Sequence, residues 1–180
     1  MPLFYTGKGD KGSSNIGKKK YPKDHPVLEA LGELDELNSF IGFARSLLRE
    51  KVLSQKLENI QQDLFIIQAR IAWFLFPKFQ SPQLKEEKIR EMEKEIGSLE
   101  KKIKPERAFV LPGANVPSSL LHLLRSVARR AERKIFVVSK KYKVPGEILT
   151  YINRLSSYLY ALARMEAHRK KIKETKPTYR

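Results

Sequence analysis

The chain has 180 residues, 41% of them hydrophobic, and a formal charge of +16 at pH 7 from 36 Lys and Arg against 20 Asp and Glu. That is enough apolar sequence for one sizeable core in one domain, and the cation excess directs the surface toward anions: nucleotides, nucleic acid or anionic lipid. The lack of Cys excludes disulfides and thiolate metal sites, and three scattered histidines (His25, His122, His168) argue against a protein-only zinc site. No apolar run approaches bilayer length and the first residues lack a signal-peptide core, so a soluble, cytoplasmic protein is expected.

Residues 4–20, FYTGKGDKGSSNIGKKK, concentrate four glycines among Thr, Ser, Asp and Lys. Glycines let backbone N–H groups approach a phosphate chain closely, so the stretch is either an anion-binding loop or a flexible terminus. GKGDKG satisfies G-x-G-x-x-G, but no βαβ unit follows it. Gly12 is followed by Ser13-Ser14 rather than by Lys and a hydroxyl residue, which excludes a P-loop.

A capping Asp24-His25 region before Pro26 opens a first helix that runs to about Arg49, with Val27, Leu28, Leu31, Leu34, Ile41 and Leu48 as its apolar stripe. Asp35 borders that stripe, where a carboxylate calls for a cationic partner unless it is half exposed. A second helix covers about 52–76; its second half, LFIIQARIAWFLF, is apolar on most sides and is expected to be the most buried, ending at Pro77. Ser81 as cap and Pro82 at the first position start a third helix to about Lys104, with a narrow seam of Ile89, Met92, Ile96, Leu99 and Ile103 that marks an outer helix. Residues 105–117 form a loop whose apolar centre includes Phe109, which either packs under the loop or faces a ligand.

The fourth helix, residues 120–138, carries a stripe of Leu120, Leu121, Leu124, Val127, Ala128, Ala131, Ile135 and Val138. On its flank lie His122, Arg125, Arg129, Glu132 and Arg133. Arginines in a row suit a polyanion, since each guanidinium offers a fixed fork of donors; a solvated basic face with internal Glu–Arg pairs is the alternative. A last helix runs from about Glu147 to Lys171 with Asn153 off its stripe, and the basic tail reads as frayed. With no strand-period segment and no internal repeat, the expected fold is an all-α, five-helix up-and-down bundle. It forms a single domain, 1–180, divided into an N-terminal loop (1–23), a bundle (24–171) and a tail (172–180).

Four blocks occur in order: YTGKGDKGSS (5–14), YPKDHPVLEALGELDELNSFIGFA (21–44), FVLPGA (109–114), and LHLLRSVARRAERK with YINRLSSYLYALAR (121–134 and 151–164). On these blocks the chain resembles the PduO-type ATP:corrinoid adenosyltransferases. The resemblance implies a ferritin-like, cobalamin adenosyltransferase-like bundle, a homotrimer with sites between subunits, and transfer of the adenosyl group of ATP to cob(I)alamin with Mg²⁺ carried on the phosphates. It implies ATP-binding positions at Thr6, Lys8, Gly9, Ser13, Ser14, Lys23, Arg129, Arg130, Glu132, Arg133 and Asn153. It also implies a catalytic set of Arg129, Asp35 and Arg125 paired across the subunit boundary, and Phe109 on the lower face of the corrin. A flavoprotein reductase and an adenosylcobalamin-dependent mutase are the implied protein partners. Two positions depart from the pattern: Gly7-Lys8 before Gly9-Asp10, and Ala114 where a second glycine is usual. A nucleotide-binding regulator without catalysis and a basic helical nucleic-acid binder are the competing readings.

Overall fold

The computed structural model describes residues 4, 5, 7–78, 80–106 and 108–178. Five helices follow a short hairpin: β1 (Ser13–Ile16), β2 (Lys19–Pro22), α1 (Pro26–Leu47), α2 (Lys51–Trp73), α3 (Glu86–Ile103), α4 (Val116–Ser139) and α5 (Gly146–Arg169). The bundle expected from the helical periods is present. α4 packs between α1 and α5, α5 between α4 and α3, and α2 lies against α1. Among the described residues no helix is long and apolar enough to cross a membrane.

The hairpin corrects the strand-free expectation. β1 and β2 pair antiparallel, Ser13 opposite Pro22 and Ile16 opposite Lys19. Gly17 turns the chain at φ +62, the left-handed conformation a tight hairpin turn needs at that position. The hairpin docks where α2 ends. Tyr21 Oη donates to the Leu75 carbonyl at 3.3 Å, and the Tyr21 ring meets His25 edge-on at 5.4 Å.

Local signals explain the starts of α1 and α4. His25 caps α1, its Nδ1 accepting from Val27 N–H at 3.2 Å with Pro26 at the first position. Asn115 caps α4, its side-chain oxygen accepting from Ser118 N–H at 2.9 Å. α3 starts later than Ser81-Pro82 suggests. Leu84 is buried in the core, which holds the preceding segment out of helix, and α3 begins at Glu86, where Glu86 and Glu87 complement the helix dipole.

α5 rather than α2 is the most buried helix: Ile148, Tyr151, Ile152, Leu155, Leu159, Ala163 and Ala167 all lie within the core. α2 keeps Leu57, Leu64, Ile67 and Ile71 inside but turns Phe65 outward at 61% exposure. Each fully buried Leu or Ile contributes about 1.5–3 kcal/mol by leaving water. One of the buried polar groups lies where α2, α3 and α5 meet. Asp63 of α2 accepts from Tyr151 Oη at 3.0 Å, with Lys88 of α3 at 3.6 Å, and burial pushes its carboxyl above the ordinary range.

On the other side of the molecule, Arg130 of α4 donates to Glu33 at 2.5 Å and to Glu36, and Lys134 pairs with Glu29, so ion pairs span the α1–α4 groove. The described part of the tail packs on the bundle. It turns back along the 104–112 loop, where Leu111 N–H donates to the Thr175 carbonyl at 2.8 Å. The frayed end expected from its charge is replaced by specific pairing.

Candidate functional site

The polar flank of α4 splits into several environments. Arg125 and Arg129 line a cavity of about 310 Å³ between α3, α4 and α5, together with Glu100, Ser156, Ser157, Tyr160 and Arg164. Four residues apart, the two guanidiniums project from successive turns, so an elongated anion can meet both. Arg125 and Tyr160 also line a second cavity of about 480 Å³ with Phe109, Val110, Pro112 and His122. Phe109 stands 79% exposed at this second cavity rather than packed beneath its loop. The two cavities therefore share a wall.

That wall is Tyr160. Arg125 lies 5.4 Å over its ring and Arg164 lies 5.6 Å from it, while Arg164 Nη1 donates to Tyr160 Oη at 3.0 Å. His122 meets the same ring edge-on at 5.7 Å. It is 5% exposed rather than on an open flank, and burial beside Arg125 holds its pKa below the usual histidine value, so it is neutral at pH 7.

Toward the other end of α4, Glu132 accepts from Asn153 Nδ2 at 2.7 Å, and Arg154 Nη1 donates to Asn153 Oδ1 at 3.0 Å. The side-chain amide of Asn153 is thereby fixed in one orientation. Arg133, like Arg129, is exposed. Arg130 is not with them: its guanidinium faces α1 and is taken up by Glu33 and Glu36, which raise its pKa further.

The glycine loop folds on itself. Gly12 N–H donates to the Gly9 carbonyl at 3.2 Å, and Lys23 N–H closes the loop on the Gly12 carbonyl at 3.1 Å. A Cβ on Gly9 would sit 3.7 Å from Lys23 Nζ, so the Lys23 ammonium stands over the loop. Among the described residues Ser13 Oγ is buried without a hydrogen-bond partner. Ser14 is half-buried beside it in β1, and Lys8 is exposed on the loop. Thr6 lies outside the described residues.

Asp35 is exposed on α1 and does not meet Arg125, whose guanidinium is turned to Tyr160. The hairpin and the Phe109 loop sit at opposite ends of the bundle. The hairpin lies by the end of α2 and the α4–α5 connection, through the His25–Tyr142 ring contact at 6.3 Å, and the Phe109 loop by the start of α4. α4 is 24 residues long, about 36 Å at 1.5 Å per residue. One chain thus separates these two elements by most of its length. Among the described residues no group of three or more His, Asp or Glu is placed to hold a metal ion.

Tyr160 and Arg164 went unassigned in the sequence, although an aromatic and an arginine four residues apart beside the α5 stripe are a readable signal. His122 misled because its place on the arginine flank reads as polar.

Residues 4–166 match the family model described as Cobalamin adenosyltransferase. The chain is 38% identical over 167 residues to the corrinoid adenosyltransferase PduO of Citrobacter freundii, a match covering 92% of this chain and 50% of that protein. It therefore spans about half the length of that relative. It is 37% identical over 179 residues to the mouse corrinoid adenosyltransferase MMAB, covering 93% of this chain and 73% of that protein. Among solved structures, a variant PduO-type ATP:corrinoid adenosyltransferase from Lactobacillus reuteri, complexed with cobalamin and ATP, superposes with a TM-score of 0.90 at 34% identity. The superposition covers 98% of this chain and 97% of that one.

Proposed function

The chain belongs to the cobalamin adenosyltransferase family, and we propose that it transfers the 5′-deoxyadenosyl group of ATP to the cobalt of cob(I)alamin, giving adenosylcobalamin and triphosphate. The observation that carries this reading is the pair of cavities sharing Arg125 and Tyr160, one cationic through Arg129 and the other fronted by exposed Phe109. An anionic leaving group and a flat apolar macrocycle need such neighbouring environments.

In the transfer, the electron pair on Co(I) forms the Co–C5′ bond while the C5′–O bond breaks and its pair leaves with triphosphate. No proton moves, so no general base or covalent protein intermediate is required. The protein contributes in-line positioning and cationic stabilisation of the departing charge. Arg129 and Arg133, with Lys8, Gly9, Ser13, Ser14, Lys23 and the undescribed Thr6, would hold the polyphosphate; the partnerless Ser13 hydroxyl fits a phosphate acceptor. Glu132 and Asn153 act as one hydrogen-bonded unit toward the nucleotide. Arg130, engaged by Glu33 and Glu36, serves the site by fixing α4 against α1. Magnesium, when bound, would neutralise phosphate charge and would ride on the ATP oxygens, since the basic loop supplies no carboxylate cage.

Phe109 would occupy the lower face of the corrin and exclude the base ligand of cobalt, which eases reduction of Co(II) to Co(I). The working assembly on this reading is a homotrimer. There the exposed Asp35 would pair with Arg125 of the partner subunit, and the hairpin of one copy would approach the Phe109 end of the next, removing the separation seen within one chain. A flavoprotein reductase would supply the electron and an adenosylcobalamin-dependent mutase would take the product in the cytoplasm.

The test is anaerobic: chemically reduced cobalamin and Mg-ATP are mixed with the protein and the cob(I)alamin absorbance is followed. Its decay to the adenosylcobalamin spectrum supports the assignment. Tight ATP binding without that decay would replace it with a regulatory role.

A further inference from the structure

Three contacts hold the chain after α5 in place, two against the 104–112 loop and one against α5 itself. The Thr175 carbonyl accepts from Leu111 N–H at 2.8 Å, two residues from Phe109; Lys176 pairs with Glu106; and Arg164 Nε donates to Glu174 Oε2 at 2.5 Å. The last pair differs in kind from a surface ion pair, because its side chains are only 11% and 12% exposed. It also continues into the site: the guanidinium that binds Glu174 donates to Tyr160, the wall between the two cavities.

Charge balance explains why Glu174 matters. Arg164 and Arg125 flank one aromatic ring, with buried His122 on its edge. Glu174 is the carboxylate paired directly with Arg164; without it Arg164 is a largely buried cation beside another cation. The segment from 172 to 176 would then lose its anchor and Leu111 its hydrogen-bond acceptor.

We propose that residues 172–176 form a strap that positions Phe109, with Glu174 as the positioning residue acting through Arg164, Tyr160 and Leu111. The proposal rests on the reading above in which Phe109 covers the lower face of the corrin. The strap matters for cob(II)alamin, whose lower ligand must be excluded before reduction. It matters little for cob(I)alamin, which arrives without one.

The experiment compares wild type, Glu174→Ala and Glu174→Asp as full-length proteins, each checked for unchanged helical content. Hydrogen exchange of peptides spanning 108–112 reads the loop directly. Glu174→Ala is expected to exchange about tenfold faster there, the scale of one lost charge-assisted hydrogen bond, with Glu174→Asp close to wild type. In the presence of ATP, Glu174→Ala should show a smaller fraction of cob(II)alamin without its lower base, and reductase-coupled turnover slower by about tenfold. Turnover of chemically reduced cob(I)alamin should stay within about twofold of wild type. Unchanged exchange at 108–112 overturns the strap whatever the activity does. Equal losses with cob(I)alamin and cob(II)alamin also overturn it, because they mark a general structural role. Normal strap behaviour in a wild type that cannot convert cob(I)alamin would instead refute the functional reading.

Discussion

Gly17→Ala should detach the β1–β2 hairpin from the bundle without unfolding the bundle. Gly17 sits at φ +62, where an L-residue costs about 1–2 kcal/mol. Its added Cβ would also lie 2.5 Å from Phe76 Cδ2, far inside the roughly 3.5–4.0 Å of a favourable carbon contact. The ring or the hairpin must move by about 1 Å to restore that contact. Where docking of the hairpin is coupled to ATP binding, 1–2 kcal/mol corresponds to about 5–30-fold in the docked population, and the KM for ATP rises by up to that factor. kcat at saturating ATP and the thermal melting of the bundle should be nearly unchanged, since α1 to α5 do not depend on the turn. Steady-state kinetics with cob(I)alamin and varied ATP measure the effect. Gly17→Asn separates its causes, because Asn tolerates the left-handed region but keeps the clash. A Gly17→Ala protein whose KM for ATP stays within about twofold of wild type would refute the coupling of hairpin docking to nucleotide binding.

Tyr151→Phe removes the hydroxyl that donates to buried Asp63 and should cost about 1–3 kcal/mol in urea unfolding. The pH dependence has a definite sign. The Asp63 carboxyl is held above its ordinary 3.8 by burial, so the unfolded chain releases that proton first. The resulting stability is fully present below 3.8 and is lost as pH rises through the folded value. Losing the Tyr151 hydrogen bond, which favours the carboxylate, carries that loss to higher pH, and Asp63→Asn should remove this slope from the stability profile. Arg129→Ala should lower kcat/KM for ATP by about 10²-fold, as for removal of one charge-stabilising donor, while the exposed position leaves the melting temperature unchanged; near-normal turnover would remove Arg129 from the site.

What the sequence made legible follows from which interactions are local. The α4 stripe from Leu121 to Val138 and the His25-Pro26 start of α1 depend on neighbours three or four residues away, and both are read correctly. β1 and β2 are four residues each, without clear alternation, and draw their order from pairing and from contact with Leu75 and Phe76, which lie more than fifty residues along the chain. The tail looks solvated because its charges are counted and its partners are not: Glu174 finds Arg164 and Thr175 finds Leu111 only after α5 returns beside the loop. Ser81-Pro82 reads as a helix start because the pull of the core on Leu84 is invisible in a cap pattern.

The candidate site divides in the same way. Arg125 and Arg129 share a face by helical spacing alone, and the structure opens that face onto a cavity. Arg130 is one residue from Arg129, so its side chain points about 100° away around the helix, and only the packing of α1 against α4 supplies Glu33 and Glu36. Two glutamates three residues apart on α1 could have signalled a paired cation. Tyr160 and His122 gain their meaning from the α4–α5 contact, which no single helix encodes.

The most direct measurement of the central claim is a single-turnover product analysis. Protein, cob(I)alamin and Mg-ATP are mixed anaerobically, quenched, and assayed for adenosylcobalamin and for every phosphate species. Attack at C5′ predicts one triphosphate for each adenosylcobalamin formed, in step with the loss of cob(I)alamin. Appearance of ADP, or of diphosphate with no cobalt–carbon product, would contradict adenosyl transfer at this site.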